Sequence, residues 1–155
     1  MLGAIALAVP FIAGFEAFGA APYLCPAGRW TIGFGTTVYP NGVPVGRNDA
    51  PIDHAKAHDF LRAALIQLDQ AIKPHLIKTP LTNQYAAMLS LAYNIGSGNF
   101  ASSTLLAKFN AGDVAGTANE FLEWDKARIN GTLVALAGLT KRRQAERALF
   151  LKDQP

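Results

Sequence analysis

Apolar residues change their spacing twice along this chain. Between residues 53 and 74 they fall at Ala57, Phe60, Leu61, Ala64, Leu65, Leu68 and Ile72. That i, i+3, i+4, i+7 recurrence predicts an amphipathic helix of about five turns. Asp53 can cap its start and Pro74 stops it. A second helix is expected from about Asn83 to Ile95, with Thr82 as its cap and the glycines at 96 and 98 as its stop. Shorter helices are expected near 103–110, 114–124 and 141–152, separated by Gly112 and Gly138.

Residues 22–46 read as β instead. Tyr23-Leu24-Cys25 precedes a turn signal at Pro26-Ala27-Gly28. Residues 29–35, Arg-Trp-Thr-Ile-Gly-Phe-Gly, are rich in aromatic and β-branched types and form a second strand. Val38-Tyr39 and Val43-Pro44-Val45, on either side of Pro40-Asn41-Gly42, predict a third short hairpin element. Before these, a short helix is expected to start near Val9, with residues 1–8 as a hydrophobic lead. Pro10 fits the first turn of a helix better than its middle. The run is shorter than the roughly 20 apolar residues of a membrane span. It also lacks the basic n-region of a signal peptide, because no Lys or Arg precedes Arg29. Membrane contact by this segment is the weaker reading.

The class is therefore α+β and mostly α, with a small antiparallel sheet lobe at about 20–48 and a helical lobe at about 53–155. The 155 residues are one domain's worth. Half of them are hydrophobic, 16% are charged, and mean hydropathy is +0.16. That composition excludes a disordered tail. The single cysteine, Cys25, excludes a disulfide framework. Net charge is +3, a mild bias toward anionic partners. Seven of the fourteen basic residues lie between Lys126 and Lys152.

Several motifs take bland readings. His54 and His58 have the i, i+4 spacing of a zinc pair, but no third ligand completes a site, and both read as solvated helix residues. No metal or cofactor is expected. Gly33-Phe34-Gly35 lacks the rest of a phosphate fingerprint. Asn130-Gly131-Thr132 is a glycosylation sequon without a known compartment. Lys141-Arg142-Arg143-Arg147 has no interleaved aromatics for stacking on bases, so it reads as a solvated helix face and not as a nucleic-acid patch. Glu16 stands apart. It is the only carboxylate in the first 48 residues, set among Phe11, Ile12, Phe15 and Phe18. Half-burial there would favour its protonated form, the state a general acid needs.

Gly14-Phe15-Glu16 followed by the segment from Pro22 to Gly35 resembles the catalytic region of the phage-type lysozymes, glycoside hydrolase family 24. That family's pattern is a helix ending in Glu, eight residues, usually Asp, five residues, then Thr in a Thr-Ile-Gly-x-Gly strand. This chain reads Glu16, Cys25 and Thr31 at the same spacing. Further stretches resemble the family in order: Leu81-Thr82-Asn83-Gln84, Ala92-Tyr93-Asn94-Ile95-Gly96, Ser103-Thr104-Leu105-Leu106, Asn110-Ala111-Gly112, Phe121-Leu122-Glu123-Trp124, and Gly138-Leu139 with the run from Arg142 to Arg147. Cys25 departs from the usual Asp, and Thr36 stands where some members carry histidine.

The resemblance implies an endolysin that cuts the β-1,4 bond between N-acetylmuramic acid and N-acetylglucosamine in bacterial peptidoglycan, lysing the host cell. Glu16 would protonate the leaving oxygen, with Cys25 and Thr31 completing a Glu-Cys-Thr triad. A free thiol has a pKa near 8.5, so little is thiolate at neutral pH unless its site lowers that value. Cys25 would serve as base for a Thr31-positioned water or as nucleophile, or would merely shape the cleft while Glu16 and Thr31 suffice. Asn94, Tyr23 and Trp30 are the candidate substrate contacts in a cleft between sheet and helices, and the basic C-terminal end would help hold an anionic polymer. The expected partner is the peptidoglycan glycan strand, met by a monomer made in the host cytoplasm and acting in the periplasm. The alternatives are an inactive peptidoglycan-binding relative and a lytic transglycosylase. Some relatives lock an active-site cysteine in a disulfide with an N-terminal membrane-release segment. These 155 residues hold no second cysteine for such a lock.

Overall fold

A computed structural model describes residues 2–25 and 27–152. The first helix differs from its expectation. Helix α1 runs Leu2–Ala13 with Pro10 inside it, so residues 2–8 are helix and not a lead. Met1 lies outside the described residues, as does Pro26 of the expected turn. The physical reason is a buried stripe at Ala4, Ile5, Ala8, Val9 and Ile12. Burying that stripe outweighs the roughly 3 kcal/mol that an interior proline costs, and Pro10 itself sits on the exposed side.

Contacts divide the chain into two compact units, residues 5–67 in one, and 1–4 with 68–155 in the other. The first unit holds most of α1 and a two-stranded sheet. Strands β1, Gly19–Leu24, and β2, Trp30–Gly33, pair antiparallel. Tyr23 lies opposite Thr31 and Leu24 opposite Trp30, with an irregularity between Gly19 and Tyr23. The expected third element is present as a Val38–Pro44 bridge around Gly42, which has φ +84°. Asp49 fastens the loop beyond it, accepting hydrogen bonds from Tyr39 Oη at 2.8 Å and Gly46 N at 2.7 Å. Helix α2 spans His54–Ile72, and Asp53 Oδ1 accepts from Lys56 N at 2.8 Å, the cap read from the sequence. Ile32, Phe34, Val45, Ala57 and Leu61 are buried. The two histidines of α2 are more than solvated residues. His54 stacks on Phe18 at 3.8 Å, and His58 meets Phe34 edge-on at 5.0 Å.

The second unit is helical. After a 3-10 turn at Lys73–His75 come α3, Thr82–Ile95; α4, Ser97–Ala101; α5, Thr104–Ala111; and α6, Val114–Glu120. Thr82 is not the cap of α3 but its first residue. Gln84 Oε1 reaches back to accept from Leu81 N at 2.9 Å, which ties down the start without a hydroxyl. The expected 114–124 helix tightens into a 3-10 turn at Phe121–Trp124. A hairpin follows that the sequence reading lacks: β3, Lys126–Ile129, paired with β4, Thr132–Ala135. Asn130 and Gly131 take φ +47° and +84° at its turn, the positive values a two-residue hairpin needs. Helix α7 begins at Ala137 and ends at Leu151, so Gly138 is inside it instead of separating two elements.

The run at 141–147 is not a solvated face. Arg142, Arg143 and Glu146 are buried with Ser90 of α3. Glu146 Oε1 accepts from Ser90 Oγ at 2.6 Å and from Arg142 Nε at 3.1 Å, and Arg143 Nε stands 2.9 Å from Oε2. Burial pushes the Glu146 carboxyl above the usual range, while the Arg143 and Arg142 charges pull it back. Two cations of the basic C-terminal end are thus used internally. Removing one partner of such a cluster strands buried charge. Glu146→Ala is therefore expected to cost about 3–5 kcal/mol in chemical denaturation, while Lys141→Ala on the exposed side of α7 stays within about 0.5 kcal/mol of the parent.

Candidate active site

Glu16 lies one turn past the end of α1. Its backbone N–H still donates to Ile12 O at 3.1 Å, so the apolar stripe that buries α1 also sets the position of Glu16. The side chain is half-buried. From there the chain enters β1, where Gly19 makes room for an aromatic ring. A Cβ at Gly19 would come within 2.5 Å of the Tyr23 ring, so any larger residue there would displace Tyr23. Burial first, then the charges of Glu16 and Cys25, raise the Tyr23 phenol above its ordinary pKa. The structure thus brings Tyr23 into the electrostatic neighbourhood of two of the three triad candidates.

Cys25 opens the turn between β1 and β2. Its N–H donates to Arg29 O at 3.0 Å, and its own carbonyl accepts from Gly28 N at 2.8 Å. Gly28 has φ +72°, a conformation that glycine supplies cheaply. The thiol is free and partly exposed. Its pKa is lowered, chiefly by the backbone of Arg29, next by the Thr31 hydroxyl, and further by the backbone of Ala27 and the Arg29 charge, against a smaller opposing effect of burial. Donors aimed at a sulfur favour its anion.

Thr31 is buried to 2% exposure, and its hydroxyl donates to Arg29 O at 3.0 Å. A hydroxyl carries one proton. Once the thiol ionises, the same proton can turn toward the sulfur. Cys25 and Thr31 therefore meet at one group, the Arg29 carbonyl that the Cys25 N–H and the Thr31 hydroxyl both reach. Arg29 is the member that sequence reasoning missed. The available signal was its place as the first cation of the chain, four residues beyond Cys25.

The other candidates are placed differently. Successive side chains of a strand point to opposite faces, so Trp30 lies on the face of β2 opposite Thr31. It lines a cavity with Arg29 and Val38. Asn94 is exposed in the last turn of α3, in the helical unit. Among the described residues no group of three or more His, Cys, Asp or Glu is arranged to hold a metal ion. No helix among them is long and apolar enough to cross a membrane.

Residues 13–146 match the family model described as phage lysozyme. The chain is 45% identical over 137 residues to an endolysin of Acyrthosiphon pisum secondary endosymbiont phage 1, covering 88% of this chain and 89% of that one. Among solved structures it is similar to an endolysin from Escherichia coli O157:H7 phage FAHEc1, with TM-score 0.86 and 29% identity over 95% of this chain and 92% of that one. A P22 lysozyme mutant matches with TM-score 0.80 and 32% identity, covering 94% and 96%.

Because the donors around Cys25 favour its anion, the thiol should titrate below an ordinary cysteine. Thiolate absorbance near 240 nm, followed against pH, measures this directly. Thr31→Val removes one donor and should move the titration upward, toward the free-thiol value.

Proposed function

The chain belongs to the phage lysozyme family, and from that premise we propose that Glu16, Cys25 and Thr31 cleave the β-1,4 bond between N-acetylmuramic acid and N-acetylglucosamine. The enzyme is a muramidase, a glycoside hydrolase acting on the peptidoglycan of the cell wall. The finer reading is that residues 1–155 form one catalytic domain that lyses the host from the periplasm.

The observation that carries the site reading is the β1–β2 turn, where the Arg29 carbonyl accepts from both the Cys25 N–H and the Thr31 hydroxyl. Hydrolysis needs a proton given to the leaving oxygen and a proton taken from the attacking water. Glu16, fixed at the end of α1, gives the first. The Cys25 thiolate takes the second, from a water that the Thr31 hydroxyl orients. The C–O bond breaks with its electron pair on the leaving sugar oxygen, which Glu16 protonates. The water oxygen bonds to the anomeric carbon, and its proton passes to sulfur. Glu16 then regains a proton from solvent and the thiol returns one. Tyr23, packed over Gly19, is a substrate contact in this reading, and Asn94 is a second.

Turbidity of permeabilised Gram-negative cells, with mass spectrometry of the released fragments, tests this reading. Products with ordinary reducing ends are expected; anhydro sugars would mean transglycosylation instead. Glu16→Gln should lower turnover by roughly 10²- to 10⁴-fold, the range of a general acid, and near-parent activity would remove Glu16 from that role. Complete alkylation of Cys25 should abolish lysis, and full activity after modification would make the thiol a spectator.

A further inference from the structure

His54 and His58, one turn apart on the same face of α2, each meet a phenylalanine of the sheet region. His54 stacks on Phe18, with ring centroids 3.8 Å apart and 21° between the planes. His58 meets Phe34 edge-on at 5.0 Å. Phe18 and Phe34 lie 5.5 Å from each other, and Phe34 also meets the edge of the His54 stack at 6.1 Å. Phe18 is two residues past Glu16, and Phe34 is three past Thr31. Glu16 is held from its N-terminal side by the bond from its N–H to Ile12 O at 3.1 Å. On its C-terminal side the chain crosses to β1, and the Phe18 ring fastens that crossing to α2. The start of α2 is a firm support. Asp53 Oδ1 accepts from Lys56 N at 2.8 Å, and Ile52 N donates to Ala20 O of β1 at 2.8 Å. The same stretch of α2 touches β2, because a Cβ at Gly33, two residues past Thr31, would lie 3.0 Å from Ala57 Cβ. The first turns of α2 thus contact the chain just beyond Glu16 and just beyond Thr31 alike.

We propose that His54 is a positioning residue for Glu16, its stack on Phe18 fixing the carboxyl against the strand that carries Thr31. This rests on the proposed function for the role of Glu16 as proton donor. His54 acts through Phe18 and exchanges no proton with the substrate. Two residues separate Phe18 from Glu16, so a shift of the ring is passed to the carboxyl with little loss. A displacement on the order of 1 Å at a reacting group costs about 10²-fold in rate. What the place requires of residue 54 is a flat aromatic face, since ring pairs favour offset stacking. Phenylalanine can supply that face and alanine cannot. Loss of the stack misplaces the acid without removing a substrate contact, so the effect falls on kcat and not on KM.

The test is kinetic, on purified peptidoglycan with the full chain. His54→Ala should lower kcat about 10- to 100-fold and leave KM within about twofold of the parent. His54→Phe should restore kcat to near the parent value. Phe18→Leu removes the stack from its other side and should lower kcat as His54→Ala does, and the double variant should lose no more than either single one. This second route decides the matter if His54→Ala fails to fold. An unchanged kcat in both His54→Ala and Phe18→Leu overturns the proposal, as does a loss confined to KM or a His54→Phe variant as slow as His54→Ala. The stack has its own signature. The chain has three histidines, and the His54 ring protons are identified in NMR spectra by their absence in His54→Phe. They should lie upfield of an ordinary histidine and move back in Phe18→Leu; signals that Phe18→Leu leaves in place overturn the proposal. Glu16→Gln in the same assay separates the two readings. Near-parent turnover there removes Glu16 as the acid, whereas an inactive Glu16→Gln beside a fully active His54→Ala overturns the positioning role alone.

Discussion

The pairing register of β1 and β2 determines which groups of the 25–31 segment can meet. Tyr23 faces Thr31 across the ladder, and Leu24 faces Trp30. Side chains alternate along a strand, so a slip by one residue would exchange the two faces of β2. Thr31 would leave the sulfur, and Trp30 would take its place. The register is held by the turn itself. The Cys25 carbonyl accepts from Gly28 N–H within it, and the Arg29 carbonyl accepts from both the Cys25 N–H and the Thr31 hydroxyl. One carbonyl thereby closes the turn and orients the residue beside the thiol. Gly33 extends the same constraint. At φ +63°, with a Cβ only 3.0 Å from Ala57, it lets β2 approach α2 as no other residue could.

The helical unit is organised by a different constraint. Glu146, Arg142 and Arg143 are buried together against Ser90. Burying two guanidiniums and a carboxylate is a costly arrangement. Hydrophobic replacements of equal volume would hold α7 against α3 with less desolvation. What the cluster adds is directionality. An Arg fork and a carboxylate satisfy each other in few geometries, so α7 has one rotation and one height at which its ions are paired. The hydrogen bonds from the Asn83 side chain to Leu149 O and Lys152 O anchor the far end of the same helix.

The legible parts were those where one signal acted alone. Helix α2 shows its period, its Asp53 cap and its proline stop, and forms as read. Helix α1 pits a proline against an apolar stripe, and only the packing partner shows which wins. The β3–β4 hairpin is exposed along β4, so its residues carry no inward pattern. Its one local sign, Asn130-Gly131, also spells a sequon. Arg142 and Arg143 look like any surface pair until Ser90, more than fifty residues away, is brought to them. At the candidate site the spacing of Glu16, Cys25 and Thr31 was readable, because it is a one-dimensional fact. The donors on the sulfur were not, because backbone groups carry no letter in the sequence.

Backbone donors make a thiol workable where the resembled family usually carries a carboxylate. A carboxylate is ionised at neutral pH without assistance, so a site built for it can leave its base alone. A thiol near 8.5 is mostly neutral there. Each donor to sulfur shifts the balance toward the anion, and each also makes that anion a weaker base. The Thr31 hydroxyl avoids part of this compromise because it is a rotor. It satisfies the Arg29 carbonyl, and in the proposed mechanism it would turn to the sulfur once the thiol proton has gone. In the proposed mechanism the backbone of Arg29 and Ala27 supplies a fixed bias toward thiolate, and Thr31 supplies one that follows the charge. A fixed hydrogen bond of equal strength would be weakened as the thiolate accepts the proton of water. A hydroxyl can return to the Arg29 carbonyl 3.0 Å away, so its donor is never left unpaired.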